Sequence, residues 1–176
     1  MEKFEKNKAQ AFVQYVLSRM NGKEGDKPDT RFAAALRRVD NPDTEYQGWE
    51  YLATWCDLSQ DGERLPLETI AAAIAREKPA IDGTMSIGQA LAFCYREEGK
   101  NNGNEKDAAK AKLRRLLACS TPLEACLVLR SLLKLIASRG GSLCYSRLLD
   151  ELLPGRSFER VKTRWAQDFY GQKEEA

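Results

Sequence analysis

The chain of 176 residues carries 28 Lys/Arg against 26 Asp/Glu, so its formal net charge of +2 says little about partners. A hydrophobic fraction of 43% is enough to core one domain or two small helical lobes, and no stretch approaches the roughly 20 apolar residues of a membrane span. With no histidine, the chain lacks the commonest general base, the usual partner of a Ser or Cys nucleophile and the commonest transition-metal ligand; the expectation is a cytoplasmic non-enzyme with no metal, cofactor or membrane partner.

Hydrophobic spacing predicts a first helix over residues 4–20, with Phe12, Val13, Val16, Leu17 and Met20 on one face and Asn21-Gly22 as the stop. Residues 23–28 read as a polar loop. A short helix over 31–39 aligns Phe32, Leu36 and Val39, and Asn41-Pro42-Asp43 breaks it. Pro42 suits the first turn of a third helix, which runs to Leu58 through Trp49, Tyr51, Leu52, Trp55 and Cys56. Residues 59–64 read as a turn, 66–76 as an alanine-rich helix with Ile70 and Ile74, and 77–84 as a break. Ser86-Ile87-Gly88-Gln89 fits a capping box that opens a helix to Glu98.

Residues 99–104 (Gly-Lys-Asn-Asn-Gly-Asn) read as a flexible link between an N-terminal segment, 1–98, and a C-terminal segment, 105–176. Beyond it a helix over 106–119 places Ala109, Leu113, Leu116 and Leu117 on one stripe. Thr121-Pro122-Leu123-Glu124 combines a Thr cap, a first-position Pro and a Glu, which is a strong helix start. The helix that follows, to Ser138, is apolar nearly all round, from Leu127 to Ile136, and is expected at the centre of a bundle. Gly140-Gly141 ends it. A helix over 143–153 closes on Pro154-Gly155, and Ser157 caps the last, whose buried stripe is Phe158, Val161, Trp165 and Phe169. Strand signals are scarce, so the expectation is an all-α, compact helical bundle of about nine helices.

Five cysteines, with no Cys-x-x-Cys pair, read as free thiols of a reducing compartment. Charge is distributed less evenly. Residues 100–164 hold 14 Lys/Arg against 6 Asp/Glu, a net of +8, which leaves −6 for the rest of the chain. Sorted charge of this kind attracts polyanions in a way that overall pI conceals. Lys106, Lys110, Lys112, Arg114 and Arg115 crowd one window in which Asp107 is the only acid, whereas an ordinary solvated helix face mixes signs. Arg130 and Lys134 mark a polar strip one turn apart on the apolar helix, and Arg139 follows its end. Arg37-Arg38 closes the second helix, where cations also complement the helix dipole. No helix clusters Asn, Gln and Arg as a base reader does, so the chemistry expected is phosphate neutralisation without sequence readout.

The order of segments adds a resemblance. Leu36-Arg37-Arg38-Val39 precedes a Pro break and a Trp/Tyr helix. There follow Ser86-Ile87-Gly88-Gln89-Ala90-Leu91-Ala92, Leu113-Arg114-Arg115-Leu116-Leu117 and Leu129-Arg130-Ser131-Leu132-Leu133-Lys134-Leu135, and the series closes on Trp165-Ala166-Gln167-Asp168-Phe169-Tyr170. This pattern, over about residues 30–170, resembles the CasB family, the small subunit of the type I-E CRISPR surveillance complex Cascade. The resemblance implies an all-helical, two-lobed, non-catalytic subunit. It implies as partners crRNA, the target and displaced DNA backbone, other Cascade subunits and a second copy of the chain. Arg37, Arg38, Arg114, Arg115, Arg130 and Lys134 are the phosphate contacts it suggests; charge adds Lys110, Lys112 and Arg139. The family position at Ser131 is often basic, and the link at 99–104 is longer than usual there. The competing expectation is a helical adaptor whose basic face meets an acidic protein.

Overall fold

The computed structural model describes residues 2–22, 26–95 and 103–171. Among them are nine α-helices: α1 (Glu2–Asn21), α2 (Thr30–Leu36), α3 (Trp49–Leu52), α4 (Asp61–Glu77), α5 (Ile87–Cys94), α6 (Gly103–Leu117), α7 (Pro122–Ser138), α8 (Tyr145–Leu152) and α9 (Phe158–Tyr170). The only extended pairing among the described residues is an isolated parallel bridge between Met85 and Leu143. The all-α expectation is met, and no described helix is long and apolar enough to cross a membrane.

Local chemistry sets several helix ends as the sequence requires. Ser86 Oγ accepts from Gln89 N at 3.2 Å while Gln89 Oε1 accepts from Ser86 N at 2.9 Å, the reciprocal pair of a capping box. Thr121 Oγ1 accepts from Glu124 N, and the Glu124 carboxylate reaches back to Ser120 N at 2.6 Å. Gly22 ends α1 with φ at +75°, a left-handed conformation, and a Cβ there would lie 2.3 Å from Asp26 O. Asp29 caps α2 through Phe32 N and pairs with Arg19, whose guanidinium stacks 4.6 Å from the Phe32 ring centroid and 4.9 Å from Tyr51.

Other expectations are corrected. The third helix does not run from Pro42 to Leu58. Residues 37–44 form turns, Glu45–Gly48 a 3-10 turn, and α3 is a single turn. Gly48 sits so tightly on Val39 that a Cβ would come within 2.1 Å of Val39 Cγ1, so close packing against the turn that follows α2 overrides the helical pattern. α4 begins at Asp61, with Pro66 inside it. Ser157 stands at the cap of α9 without a side-chain bond. α8 starts at Tyr145 because 142–144 is held by backbone bonds to 83–85. α6 begins at Gly103, within the segment expected as a link; residues 99–102 of that segment lie outside the described residues, as do 23–25, 96–98 and the Lys106 side chain.

The helix buried all round is α4, not α7. Every residue from Pro66 to Ala75 is buried, and α4 packs against α1, α2, α3, α7 and α8. Its alanines let neighbours approach from several sides. α7 packs on α4, α5, α6 and α8 yet leaves Leu127 63% exposed. The pairs α1–α8, α4–α7 and α5–α9 each join elements on either side of residue 99 within one apolar cluster. Cys94, Cys119 and Cys126 are buried free thiols, Cys56 and Cys144 half-buried ones.

Helices α5 and α9 meet at Gly88, where a Cβ would lie 2.2 Å from Trp165 O and 3.0 Å from Phe169 N. Those atoms are backbone and cannot rotate away. Gly88→Ala is therefore expected to destabilise by about 1–3 kcal/mol through separation of the two helices, despite the better helix propensity of alanine, as read in a denaturant melt.

Candidate nucleic-acid interface

The cations of the basic segment fall into two groups once their neighbours are known. Around α8 and α9 three are engaged internally, while Arg160 and Arg164 of α9 are exposed and form no ion pair with a described acid. Arg147 binds Glu151 at 3.1 Å and Asp168 at 2.8 Å, Arg156 binds Asp150 at 2.6 Å, and Lys162 binds Glu159 at 2.8 Å and the Cys119 carbonyl at 3.0 Å. Lys110, Lys112, Arg114, Arg115, Lys134 and Arg139, on α6, on α7 and at the C-cap of α7, form no ion pair with a described acid. Arg114, Arg115, Lys134 and Arg139 are exposed, and Lys110 and Lys112 half-buried. Arg139 also lies 5.9 Å from the Tyr95 ring centroid. Helices α6 and α7 pack together, so these cations are carried by one packed pair of helices.

Arg37 and Arg38 are exposed at the end of α2, but each has one donor committed. Arg37 Nε donates to Ala75 O at 3.1 Å and so caps the C-terminal turn of α4. Arg38 donates to Gln47 Oε1 at 3.0 Å. A guanidinium has five N–H donors, so both remain able to meet a phosphate. Lys134 of α7 acts electrostatically on Glu77 at the same end of α4. The C-terminal end of α4 thus brings Arg37 and Lys134, distant in sequence, to one region. The pair of buried Asp40 with half-buried Arg76 fixes it, with Arg76 also donating to Arg37 O.

Arg130 is placed differently. It is half-buried on α7, and its charge bears on Glu68 of α4. Glu68 is 1% exposed; its Oε1 accepts from Trp49 Nε1 at 3.1 Å and lies 3.8 Å from Arg64 Nε. Arg64 in turn pairs with Glu45 and Asp61 and stacks 5.5 Å from the Trp49 ring centroid. Burial pushes the Glu68 carboxyl up to about 7, the nearby Glu45 adds to this, and Trp49, Arg64 and Arg130 oppose it. Sequence reasoning passed over this cluster. Its one legible signal is a glutamate inside the apolar run Leu67-Glu68-Thr69-Ile70-Ala71-Ala72-Ala73-Ile74.

Comparison with known proteins bears on this arrangement. No curated protein matches the chain. A crystal structure of a CRISPR-associated protein of the Cse2 family from Thermus thermophilus superposes with a TM-score of 0.70 at 22% identity, covering 93% of this chain and 98% of that one. A crystal structure of CasB from Thermus thermophilus gives 0.70 at 20% identity, with the same coverage. A chain of a CRISPR RNA-guided surveillance complex gives 0.69 at 19%, covering 95% and 94%. At such identities these likenesses establish a shared fold. The sequence itself matches the CRISPR-associated protein Cse2 family over residues 32–170, from within α2 to the last residue of α9. Because that match covers well over half of the chain, the chain belongs to the Cse2 family, which bears out its resemblance to CasB.

Proposed function

We propose that the chain is a non-catalytic subunit of a Cascade-type, RNA-guided surveillance complex acting in the cytoplasm, where it supports crRNA and the target or displaced DNA strand. Other Cascade subunits and a second copy of the chain complete its partners. The observation that carries this reading is a set of cations left without an ion pair: Lys110, Lys112, Arg114 and Arg115 of α6, Lys134 of α7 and Arg139 at its C-cap meet no described acid, whereas Arg147, Arg156 and Lys162 each do. The segments 1–98 and 105–176 divide the work by charge. The first contributes Arg37 and Arg38, the second Lys110, Lys112, Arg114, Arg115, Arg130, Lys134 and Arg139, along one phosphate path.

The mechanism is electrostatic. Each phosphate neutralised releases condensed counterion, which favours the assembled guide–target state. Isolated protein is therefore expected to bind DNA and RNA of any sequence, weakly and with steep salt dependence. A gel-shift series with single-stranded DNA, duplex DNA and RNA across salt concentrations checks this. A strong preference for one sequence among length-matched oligonucleotides counts against it, and negligible binding at physiological salt favours an adaptor for an acidic protein.

A further inference from the structure

Helix α9 turns Val161 and Trp165 into the core, and Arg160, Thr163, Arg164, Gln167 and Tyr170 are all exposed. At about 100° per residue these five fall within about 120° of one another, so they form one outward strip. The acids of α9 are occupied elsewhere: Glu159 pairs with Lys162 at 2.8 Å, and Asp168 with Arg147 at 2.8 Å. Arg160 and Arg164 form no ion pair with a described acid. At the far end of the strip Tyr170 is 53% exposed. Its ring is held by an edge contact with Phe169, centroids 5.0 Å apart at 83°, and Phe169 packs against the core. The strip therefore combines two unpaired cations one turn apart with an aromatic ring fixed at the surface.

We propose that this strip of α9 is a binding face for single-stranded nucleic acid, in which Arg160 and Arg164 meet neighbouring phosphates and Tyr170 stacks on an unpaired base. The proposal rests on the nucleic-acid reading above, and adds to it a face outside the α2, α6 and α7 cations and a ligand that is unpaired. Four residues of helix advance about 6 Å, comparable with the step between successive phosphates of an extended strand, so both guanidinium groups can be engaged at once. Each brings a fork of N–H donors suited to phosphate oxygens. Tyr170 stands about 9 Å further along the axis than Arg164, at the end of the strip where a base turned away from the backbone can reach it.

Charge alone suits any polyanion, and the ring selects among them. A duplex presents phosphates but keeps its bases paired and stacked inside, so it can meet the arginines and not the tyrosine. An unpaired strand offers a phosphate and a π-face at every nucleotide, and stacking on an aromatic side chain contributes whatever the base is. The face therefore discriminates by strandedness and not by sequence. Its arginines sacrifice no ion pair within the chain when they turn to a ligand. Arg147 and Lys162, on α8 and α9, are bound to Asp168 and Glu159 and hold the helix in place without competing for the strand.

The test uses the full chain and follows the fluorescence anisotropy of three labelled probes over a salt series: an oligothymidylate, an abasic strand of equal length and a duplex. Arg160→Gln with Arg164→Gln is expected to weaken oligothymidylate binding about tenfold at physiological salt. It should also flatten the slope of log affinity against log salt by about 1.4, from two contacts at about 0.7 each. Tyr170→Leu is expected to weaken oligothymidylate binding about fivefold or more with the slope unchanged, and to leave duplex and abasic binding as in the parent. Tyr170→Phe, which keeps the ring, should bind as the parent does. Equal losses on all three probes in Tyr170→Leu, or no loss on oligothymidylate in either variant, overturn the proposal. Should Tyr170→Leu fail to fold, the parent decides: it must prefer oligothymidylate to the abasic strand and show an upfield shift of the Tyr170 ring protons on binding, and absence of either overturns the stacking. If the α9 variants bind as the parent while Arg114→Glu with Arg115→Glu does not, the α9 face is discarded and the α6 contacts stand. The converse supports the α9 face and discards the α6 contacts. A parent that binds none of the probes overturns both.

Discussion

Trp165→Ala is expected to cost about 3–5 kcal/mol and to lower the melting temperature accordingly. Trp165 is fully buried on α9, 5.8 Å from the Phe158 ring centroid in an edge-to-face contact, and its backbone lies against Gly88 of α5. The indole also has a polar duty: Nε1 donates to Glu151 Oε2 at 2.7 Å, and Glu151 is itself buried. Alanine thus leaves a cavity and removes one of the donors of a carboxylate that has left water, which places the loss toward the upper part of the range. Trp165→Phe separates the two contributions. It keeps most of the apolar volume and deletes only the donor, with an expected loss of about 1–3 kcal/mol that leaves Arg147 as the remaining partner. Denaturant unfolding of both variants checks this. Melting at the parent temperature would mean that the α5–α9 contact is not structured around this ring.

Reversal of charge on α6 should have the opposite signature. Arg114→Glu with Arg115→Glu is expected to reduce nucleic-acid affinity about tenfold or more at physiological salt while leaving helicity and melting temperature nearly intact. Both side chains are exposed and pair with no described acid, so their reversal sacrifices no ion pair and only the modest dipole complement of cations in the last turn of α6. Arg38→Glu forfeits one bond to Gln47 and is expected to weaken binding with little loss of stability. Each lost contact should also flatten the slope of log affinity against log salt, by about 0.9 for duplex or 0.7 for single strand. Arg147→Glu provides the contrast: its guanidinium holds Glu151 and Asp168, so its reversal should lower the melting temperature. If the α6 and Arg38 variants bind as the parent does, the phosphate path is discarded.

What the sequence determined by itself is what short-range chemistry determines. The starts of α5 and α7 were legible because a cap is an interaction across three residues, written in Ser86 and Gln89 and in Thr121 and Glu124. Burial of Val161 and Trp165 was legible because helical periodicity sorts one face from the other. The family was legible because the order of these segments is itself a linear pattern. Tertiary structure alone decided which charges are free, since a lysine or arginine looks the same in sequence whether its carboxylate lies one turn away or on another helix. Only the packing of α8 on α9 joins Arg147 to Asp168, and only the approach of α2 to α4 makes Arg37 a cap for Ala75. The third helix fell short for the same reason, because Gly48 is drawn against Val39. Glu68 was hidden because its surroundings come from the 3-10 turn, α3, α4 and α7 together, and desolvation is a property of everything packed around a group and not of its neighbours in the chain.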